Sequence, residues 1–478
     1  MSRSTRRQLL GTLGALPLLA SAARAKPKTS SLRAGAATAN ITLPLGANNG
    51  GVIMRGSPAT SVHDELHARA LVLDDGNCPL AIVVCDLRMI GRELVDRAKS
   101  LASAALGWPT ANMLVSATHT HSAPGLVDIE QGALDRWYAE MVVVRIADAI
   151  RRAASNLQPA RIGWASIDKP EHVFNRRYKV RPGGAPPNPF GETTDQVVTN
   201  PPRALELLEP AGPVDPQLSV LSVQDIQGRA IAVLANYGLH YIGGLPAHAV
   251  SADYFGMFAG RLGELLAPDS PDVPFVGMMS NGASGDVNGV NRLGAPGQRP
   301  AADKMAHVAN DLASAAARLC REMPYQDSIT IDVATRDLQL GIRQPDEARL
   351  RWARETLAGA DRTKLTRQQV YAEEALTLAA ASARVAVPIQ AIRIGDLGIA
   401  ASSCEVFAET GLAIKSQSCL RPTFVVELAN GYNGYLPTAA QHALGGYETW
   451  PARSACLETS AEAKIRTGLL DLLAALCR

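Results

Sequence analysis

The chain has 478 residues, 47% of them hydrophobic and 19% charged, with 47 basic against 45 acidic side chains. That balance belongs to a globular protein and excludes a disordered chain, and the lack of a basic excess excludes a nucleic-acid binder that works through phosphate contacts. Seven cysteines, none in a C-x-x-C pair, exclude a disulfide scaffold; Cys85 and Cys404 fall in apolar runs and read as buried thiols, with one or two disulfides allowed among the rest.

The first 25 residues read as an export signal. Arg3, Arg6 and Arg7 precede the apolar stretch Leu9 to Ala23, and Ala23-Arg24-Ala25 offers a small-residue cleavage site. The paired Arg6-Arg7 is of the twin-arginine type, which addresses a protein for export to the periplasm or the medium. The stretch is short for a membrane span of about 20 apolar residues, and no later segment is a better one. Removing it takes away four arginines and no acid, leaving 43 basic against 45 acidic residues.

From there β-rich and helical patterns alternate. Strands are predicted at Pro79–Ile90, Asn112–Ala117, Ala160–Ala165, Leu218–Gln224, Ala230–Asn236, Phe275–Met279, Ile329–Leu338, Val385–Ile394, Leu397–Ser402 and Thr423–Glu427. Helices are predicted at Arg92–Leu106, Ala133–Leu157, Tyr254–Leu266, Asp303–Arg321, Pro345–Leu357, Arg367–Ser382, Glu405–Gln417 and Ala461–Leu476. Pro170 to Pro213, rich in Pro, Gly and Asn, breaks the rhythm and reads as an ordered loop insertion. The expectation is an α/β protein of mixed sheets flanked by helices, with one large catalytic domain over 26–478.

The chemistry gathers just past the ends of apolar runs. Thr118-His119-Thr120-His121-Ser122-Ala123-Pro124-Gly125 follows the strand ending at Ala117, and open α/β sheets bind ligands beyond strand carboxyl ends. If the stretch stays extended, His119 and His121 share a face and can bind a metal or move a proton. His240, Glu405 and Tyr435 likewise follow apolar runs, and such a nitrogen and oxygen set suits zinc. Read singly, His240 also fits a satisfied core histidine, Glu405 a helix N-terminal acid, and Tyr435 a core aromatic.

Together these segments resemble the neutral/alkaline, non-lysosomal ceramidases. Ser116 to Gly125 is similar to that family's S-x-T-H-T-H-S-x-P-G, Val84-Cys85-Asp86-Leu87-Arg88-Met89 to its N-A-D-L-x-M, and Asn175-Arg176 to its N-R. Asn236 to His240 with Ser251-Ala252-Asp253, Ser280-Asn281 with Gly285-Asp286-Val287, and Asn433-Gly434-Tyr435 with Gly446-Tyr447-Glu448 complete the likeness, which runs from about Ala34 to Trp450. The resemblance implies one zinc ion per chain, held by His119, His240, Glu405 and Tyr435, with His121, Tyr447 and Arg176 as catalytic groups and Arg176 and Asn288 meeting the substrate. It implies hydrolysis of an N-acyl bond, that of ceramide (N-acylsphingosine) or a related N-acyl lipid, by metal-bound hydroxide. The lipid substrate brings the expectation of peripheral membrane contact, with no spanning helix, nucleic acid or protein partner.

The sequence also departs from the family. Asn288 stands where the family has a serine, which excludes a serine nucleophile at that position, and Cys404 precedes Glu405 in place of P-G. No immunoglobulin-like domain of about 100 residues is expected after Trp450. Two other readings carry distinct signatures: a barrel amidohydrolase, in which His-x-His ends the first of eight parallel strands, and an exported lipid- or solute-binding protein that holds no zinc and turns nothing over.

Overall fold

The computed structural model describes residues 31–478 apart from 51–52, 54–55, 128–132, 247, 268–274, 295–299 and 363, so the expected export signal lies outside the described residues. The first sheet contains β1 (Arg33–Asn40), β2 (His67–Asp74), β3 (Pro79–Cys85), β4 (Met113–Ala117), β5 (Gln158–Asp168), β6 (Gln217–Asp225), β7 (Ala230–Tyr237) and β8 (Val276–Asn281). They lie side by side in the order β8-β7-β6-β5-β1-β2-β3-β4. The edge pairs β3/β4 and β7/β8 are parallel and the pairs between them antiparallel. A second sheet runs in chain order through β9 (Ile331–Gly341), β10 (Arg384–Ile394), β11 (Leu397–Ser402) and β12 (Thr423–Val426), and β11/β12 is again parallel. The helices are α1 (Arg92–Leu106), α2 (Ala133–Ser155), α3 (Asp253–Leu266), α4 (Ala301–Glu322), α5 (Glu347–Leu357), α6 (Arg367–Ala380), α7 (Ala408–Gln417), α8 (Ala439–Leu444) and α9 (Ala461–Leu476).

Side chains that alternate along each strand give both sheets two apolar faces. Leu71, Ile82, Val84, Leu221, Leu234 and Met278 of the first sheet pack against Ile392, Ile399, Phe424 and Val426 of the second. On the far face of the first sheet, Ala70, Val72 and Val83 meet Val95 of α1 and Val142 of α2, while Val220 and Val233 meet Phe258 of α3 and Leu312 of α4. Ile389 and Ala400 cover the outside of the second sheet with Ile465 and Leu469 of α9. The result is four layers, helices, sheet, sheet and helices, in which each fully buried aliphatic side chain contributes roughly 1.5–3 kcal/mol.

The predicted spans of α1, β11 and α9 coincide with the observed ones. β1 and β2 are additions. Pro170–Pro213 carries short strands at Phe174–Asn175, Arg177–Lys179 and Val197–Thr199. The helix expected from Glu405 starts only at Ala408, because Glu405 and Val406 are extended and pair with Tyr435 and Leu436. Antiparallel pairing through both sheets rules out the barrel amidohydrolase. Cys419 and Cys477 form a disulfide, Cys85 and Cys404 are buried free thiols, and among the described residues no helix is long and apolar enough to cross a membrane.

Candidate metal centre and active site

Three βαβ crossings, β3–α1–β4, β7–α3–β8 and β11–α7–β12, place the polar residues that follow β4, β7 and β11 at strand carboxyl ends, where α/β sheets bind ligands. Those residues are His119 to His121, His240 and Glu405. The two histidine-bearing strands lie toward opposite sides of the first sheet, β4 at one edge and β7 beside the edge strand β8, yet the sheet curls until the edges meet: Asn281, ending β8, donates from Nδ2 to the carbonyl of Thr118, just past β4, at 3.3 Å. The second sheet then closes from the other side. Asn430 N–H bonds the Val115 carbonyl at 2.7 Å and Ala117 N–H that of Leu428 at 3.2 Å, so the segment after β12 lines up against β4.

The imidazoles of His119, His121 and His240 converge, with ligand nitrogens all within 4.8 Å of one another. The reason differs from the expected one. His119 is not extended but left-handed, with φ 67°, a conformation uncommon outside glycine and held here by its N–H on the Leu87 carbonyl at 2.9 Å. That turn, rather than strand alternation, brings His121 Nε2 to 3.3 Å from His119 Nε2.

Glu405 Oε2 lies 3.2 Å from His119 Nε2 and 3.8 Å from His240 Nε2. Its backbone is fixed beside Tyr435 by a parallel bridge and by its N–H on the Gly434 carbonyl at 2.9 Å. Gly434 has φ +77°, and a Cβ there would lie 2.5 Å from the Ser454 carbonyl oxygen. Gly285 is constrained similarly, since a Cβ would fall 2.5 Å from the carbonyl oxygen of Glu405 itself. The other imidazole nitrogens are tied back: His119 Nδ1 to the Arg88 carbonyl at 2.6 Å and His240 Nδ1 to the Ser284 carbonyl at 3.0 Å. Both rings therefore carry Nδ1–H and aim an Nε2 lone pair at Glu405.

His240 Nε2 and Glu405 Oε2 are buried with no hydrogen-bond partner among the described residues. Buried polar atoms are nearly always paired, so two orphans facing one point mark a place for a cation. Burial first, then the Arg176 charge and the neighbouring imidazoles, holds His240 well below the usual histidine range. Burial, His119, Arg88 and Arg176 do the same for His121. Neutral imidazole is the form that binds metal, and an N/N/O donor set around an ion of zinc's size fits these residues.

Around this centre is a cavity of about 50 Å3 lined by Ile53, Arg88, Met89, His119, His121, Glu405, Tyr432, Tyr435, Tyr447 and Ser454. Tyr435 and Tyr447 stand edge to face with ring centres 5.6 Å apart, and the Arg176 guanidinium sits 5.3 Å from the Tyr435 ring centre. Burial and Glu405 push both phenols up, Tyr447 to about 12. Arg176 is less free than its expected substrate role requires: Nε donates to Glu448 Oε1 at 2.9 Å and Nη2 to the Gly285 carbonyl at 2.7 Å. Asn288 does not line this cavity and donates instead to Asn200.

Several residues of the site were not singled out in the sequence. Tyr432, three before Tyr435, donates to Glu405 Oε1 at 3.0 Å. Tyr241, next to His240, stacks on His121 with centres 3.8 Å apart, and Arg88 holds the His121 carbonyl at 2.6 Å. Glu448 clamps Arg176 and Arg177 together, and Glu427 accepts from Ser284 Oγ at 2.6 Å beneath His240. Arg88 and Glu448 lie inside segments that carry the family resemblance, and only nearness to such a segment could have flagged the others.

Residues 33–356 match the family model of neutral/alkaline non-lysosomal ceramidase, N-terminal. The chain belongs to this family. It is a ceramidase-family hydrolase, and His119, His121, Arg176, His240 and Asn288 fall within the match, whereas Glu405, Tyr435 and Tyr447 follow it. The same fold is found in the neutral ceramidase from Pseudomonas aeruginosa, at 19% identity and a TM-score of 0.67, over 93% of this chain and 74% of that one. A ceramidase complexed with C2 is similar at 18% identity and a TM-score of 0.65, over 93% and 75% of the two chains.

Proposed function

We propose that this ceramidase-family chain is an exported, zinc-dependent amidase that hydrolyses the N-acyl bond of ceramide or a related N-acyl lipid. The observation that carries the reading is the pair of buried orphans, His240 Nε2 and Glu405 Oε2, set 3.8 Å apart beside His119. His119, His240, Glu405 and Tyr435 would hold one zinc ion, which when bound polarises a carbonyl and lowers the pKa of water. His121, kept neutral by its surroundings, takes the proton of the attacking water at Nε2 and returns it to the departing amine. Tyr447, protonated because its phenol is pushed to about 12, donates to the developing oxyanion, a contact typically worth about 3 kcal/mol. Arg176 orients Tyr435 and offers the substrate only the donors that Glu448 and Gly285 leave over. Export is supported by the paired arginines ahead of an apolar stretch and by the Cys419–Cys477 disulfide, which persists in oxidising compartments.

Purified protein is expected to hold about one zinc per chain, and His119→Ala to lose both the metal and turnover. Incubation with N-acylsphingosine is expected to release sphingosine, read by mass spectrometry. A metal-free protein of full activity would sink the metal assignment, and cleavage of other N-acyl amides with no sphingosine would move the substrate away from ceramide.

A further inference from the structure

We infer that Tyr241 is a positioning residue for the hydrolysis, whose ring sets the plane of the His121 imidazole and so aims its Nε2; this rests on the amidase reading above. The three imidazoles of the centre are held in two different ways. His119 and His240 are each fixed through Nδ1, on the carbonyls of Arg88 and Ser284. His121 has no such tie. Among the described residues its ring makes one polar contact, Nε2 at 3.3 Å from His119 Nε2, and Arg88 anchors its carbonyl rather than its ring. An ion that takes the His119 lone pair removes even that contact. What then lies on the ring is Tyr241, stacked with centres 3.8 Å apart and planes 10° from parallel.

Tyr241 is itself held in place by the turn that delivers His240. Buried Asp253 accepts the next two amides, the Ile242 N–H at 3.1 Å and the Gly243 N–H at 2.8 Å. Gly243 packs against the tyrosine so closely that a Cβ there would fall 2.6 Å from Tyr241 Cε2. The same turn is joined to the segment that carries His121: Thr120 Oγ1 donates to the Ser251 carbonyl at 2.8 Å, and Ser251 Oγ accepts the Asp253 N–H at 2.9 Å.

The two ways of holding a ring match two kinds of work. A metal ligand keeps one position and can commit its second nitrogen to a carbonyl. A base that takes a proton at Nε2 and returns it to the departing amine needs its orientation fixed without a hydrogen bond that competes for the proton. A parallel stack does that, because it restrains the plane and leaves the edge of the imidazole open. The tyrosine acts through its face, since its hydroxyl makes no hydrogen bond among the described residues.

Tyr241→Leu removes the face and Tyr241→Phe keeps it. With N-lauroylsphingosine as substrate, Tyr241→Leu is expected to lower kcat about tenfold, with KM within about twofold of the wild type and zinc content unchanged. Tyr241→Phe should recover most of that loss. In a His121→Ala background Tyr241→Leu should cost nothing further, because the ring it acts through is gone. A wild-type kcat in Tyr241→Leu, loss of its zinc, a Phe variant as slow as the Leu variant, or an undiminished effect in the His121→Ala background overturns the inference. The ring is also read apart from turnover: crystals of the zinc-loaded Tyr241→Leu protein should show His121 in more than one rotamer, and a single wild-type rotamer overturns the inference. If the wild type cleaves no N-acyl amide, the amidase reading fails, and the rotamers of His121 alone decide whether Tyr241 positions that ring.

Discussion

His240 is fully buried, and a buried polar atom left without a partner costs about 1–3 kcal/mol. Its Nδ1 bond to Ser284, and the Glu427 carboxyl that holds Ser284 from below, fix the ring so that the unpartnered nitrogen faces Glu405 rather than rotating away. Tyr432 plays the same part for Glu405, since its hydroxyl occupies Oε1 and leaves Oε2 for the centre. Groups that orient metal ligands typically account for 10- to 100-fold in affinity. Tyr432→Phe is therefore expected to weaken zinc binding by about that factor, read by competition with a chelator, with the circular dichroism spectrum of the wild type. Unchanged zinc affinity would remove Tyr432 from the site. That His119, His240 and Glu405 lie at strand ends could be anticipated because each follows an apolar run, whereas Tyr432 and Tyr241 carried no signal apart from their neighbours.

At the level of elements, the strand ends were legible because apolar runs ending in polar residues are a local pattern. β1 was not legible: Arg-Ala-Gly-Ala-Ala-Thr-Ala-Asn has Thr38 as its one β-branched residue and no aromatic, and its place between β5 and β2 is decided by packing. The start of α7 was misplaced for a related reason. Phe407, at the helix N-cap, has no capping side chain, and the first-turn N–H of Ala408 is satisfied from far away in sequence by Asp286 Oδ1 at 2.8 Å. Burial pushes Asp286 up from 3.8 to about 6 even though Ala408 and Asn175 donate to it. The native state then binds more protons than the unfolded chain between those values, so stability falls as pH rises from about 4 to about 6 and is level above. The loss amounts to about 3 kcal/mol at most. Urea midpoints measured across that range should show the decline, and Asp286→Asn should flatten it; an unaltered slope in the variant would assign the effect to another group.

Across the whole molecule, the layered α/β class follows from alternation alone, but the curl that joins opposite edges of the first sheet does not. Nothing local distinguishes a flat eight-stranded sheet from one whose β8 reaches β4, and the contact of Asn281 with Thr118 appears only once the sheets have packed. The closing helix α9 is pinned through Cys477 to Cys419, in the turn between α7 and β12, across 58 residues. Closing a loop of that length in the unfolded chain is worth about 4 kcal/mol. Cys477→Ser is expected to lower the guanidinium midpoint by up to that free energy while the zinc content stays the same. A midpoint equal to that of the wild type would mean that α9 is held by Ile465, Leu469 and Leu473 without the crosslink.

The side chains at the centre come from both sheets, His119 after the edge strand β4 and His240 after β7, near the opposite edge of the same sheet, and Glu405 from the other. The order of assembly follows from that division. An ion meeting the unfinished chain finds at best the two histidines of a single loop, since the curl must close before His240 arrives and the sheets must dock before Glu405 does. A metal ion held by His119, His240 and Glu405 together would therefore bind only where the first sheet has curled and the second has docked on it.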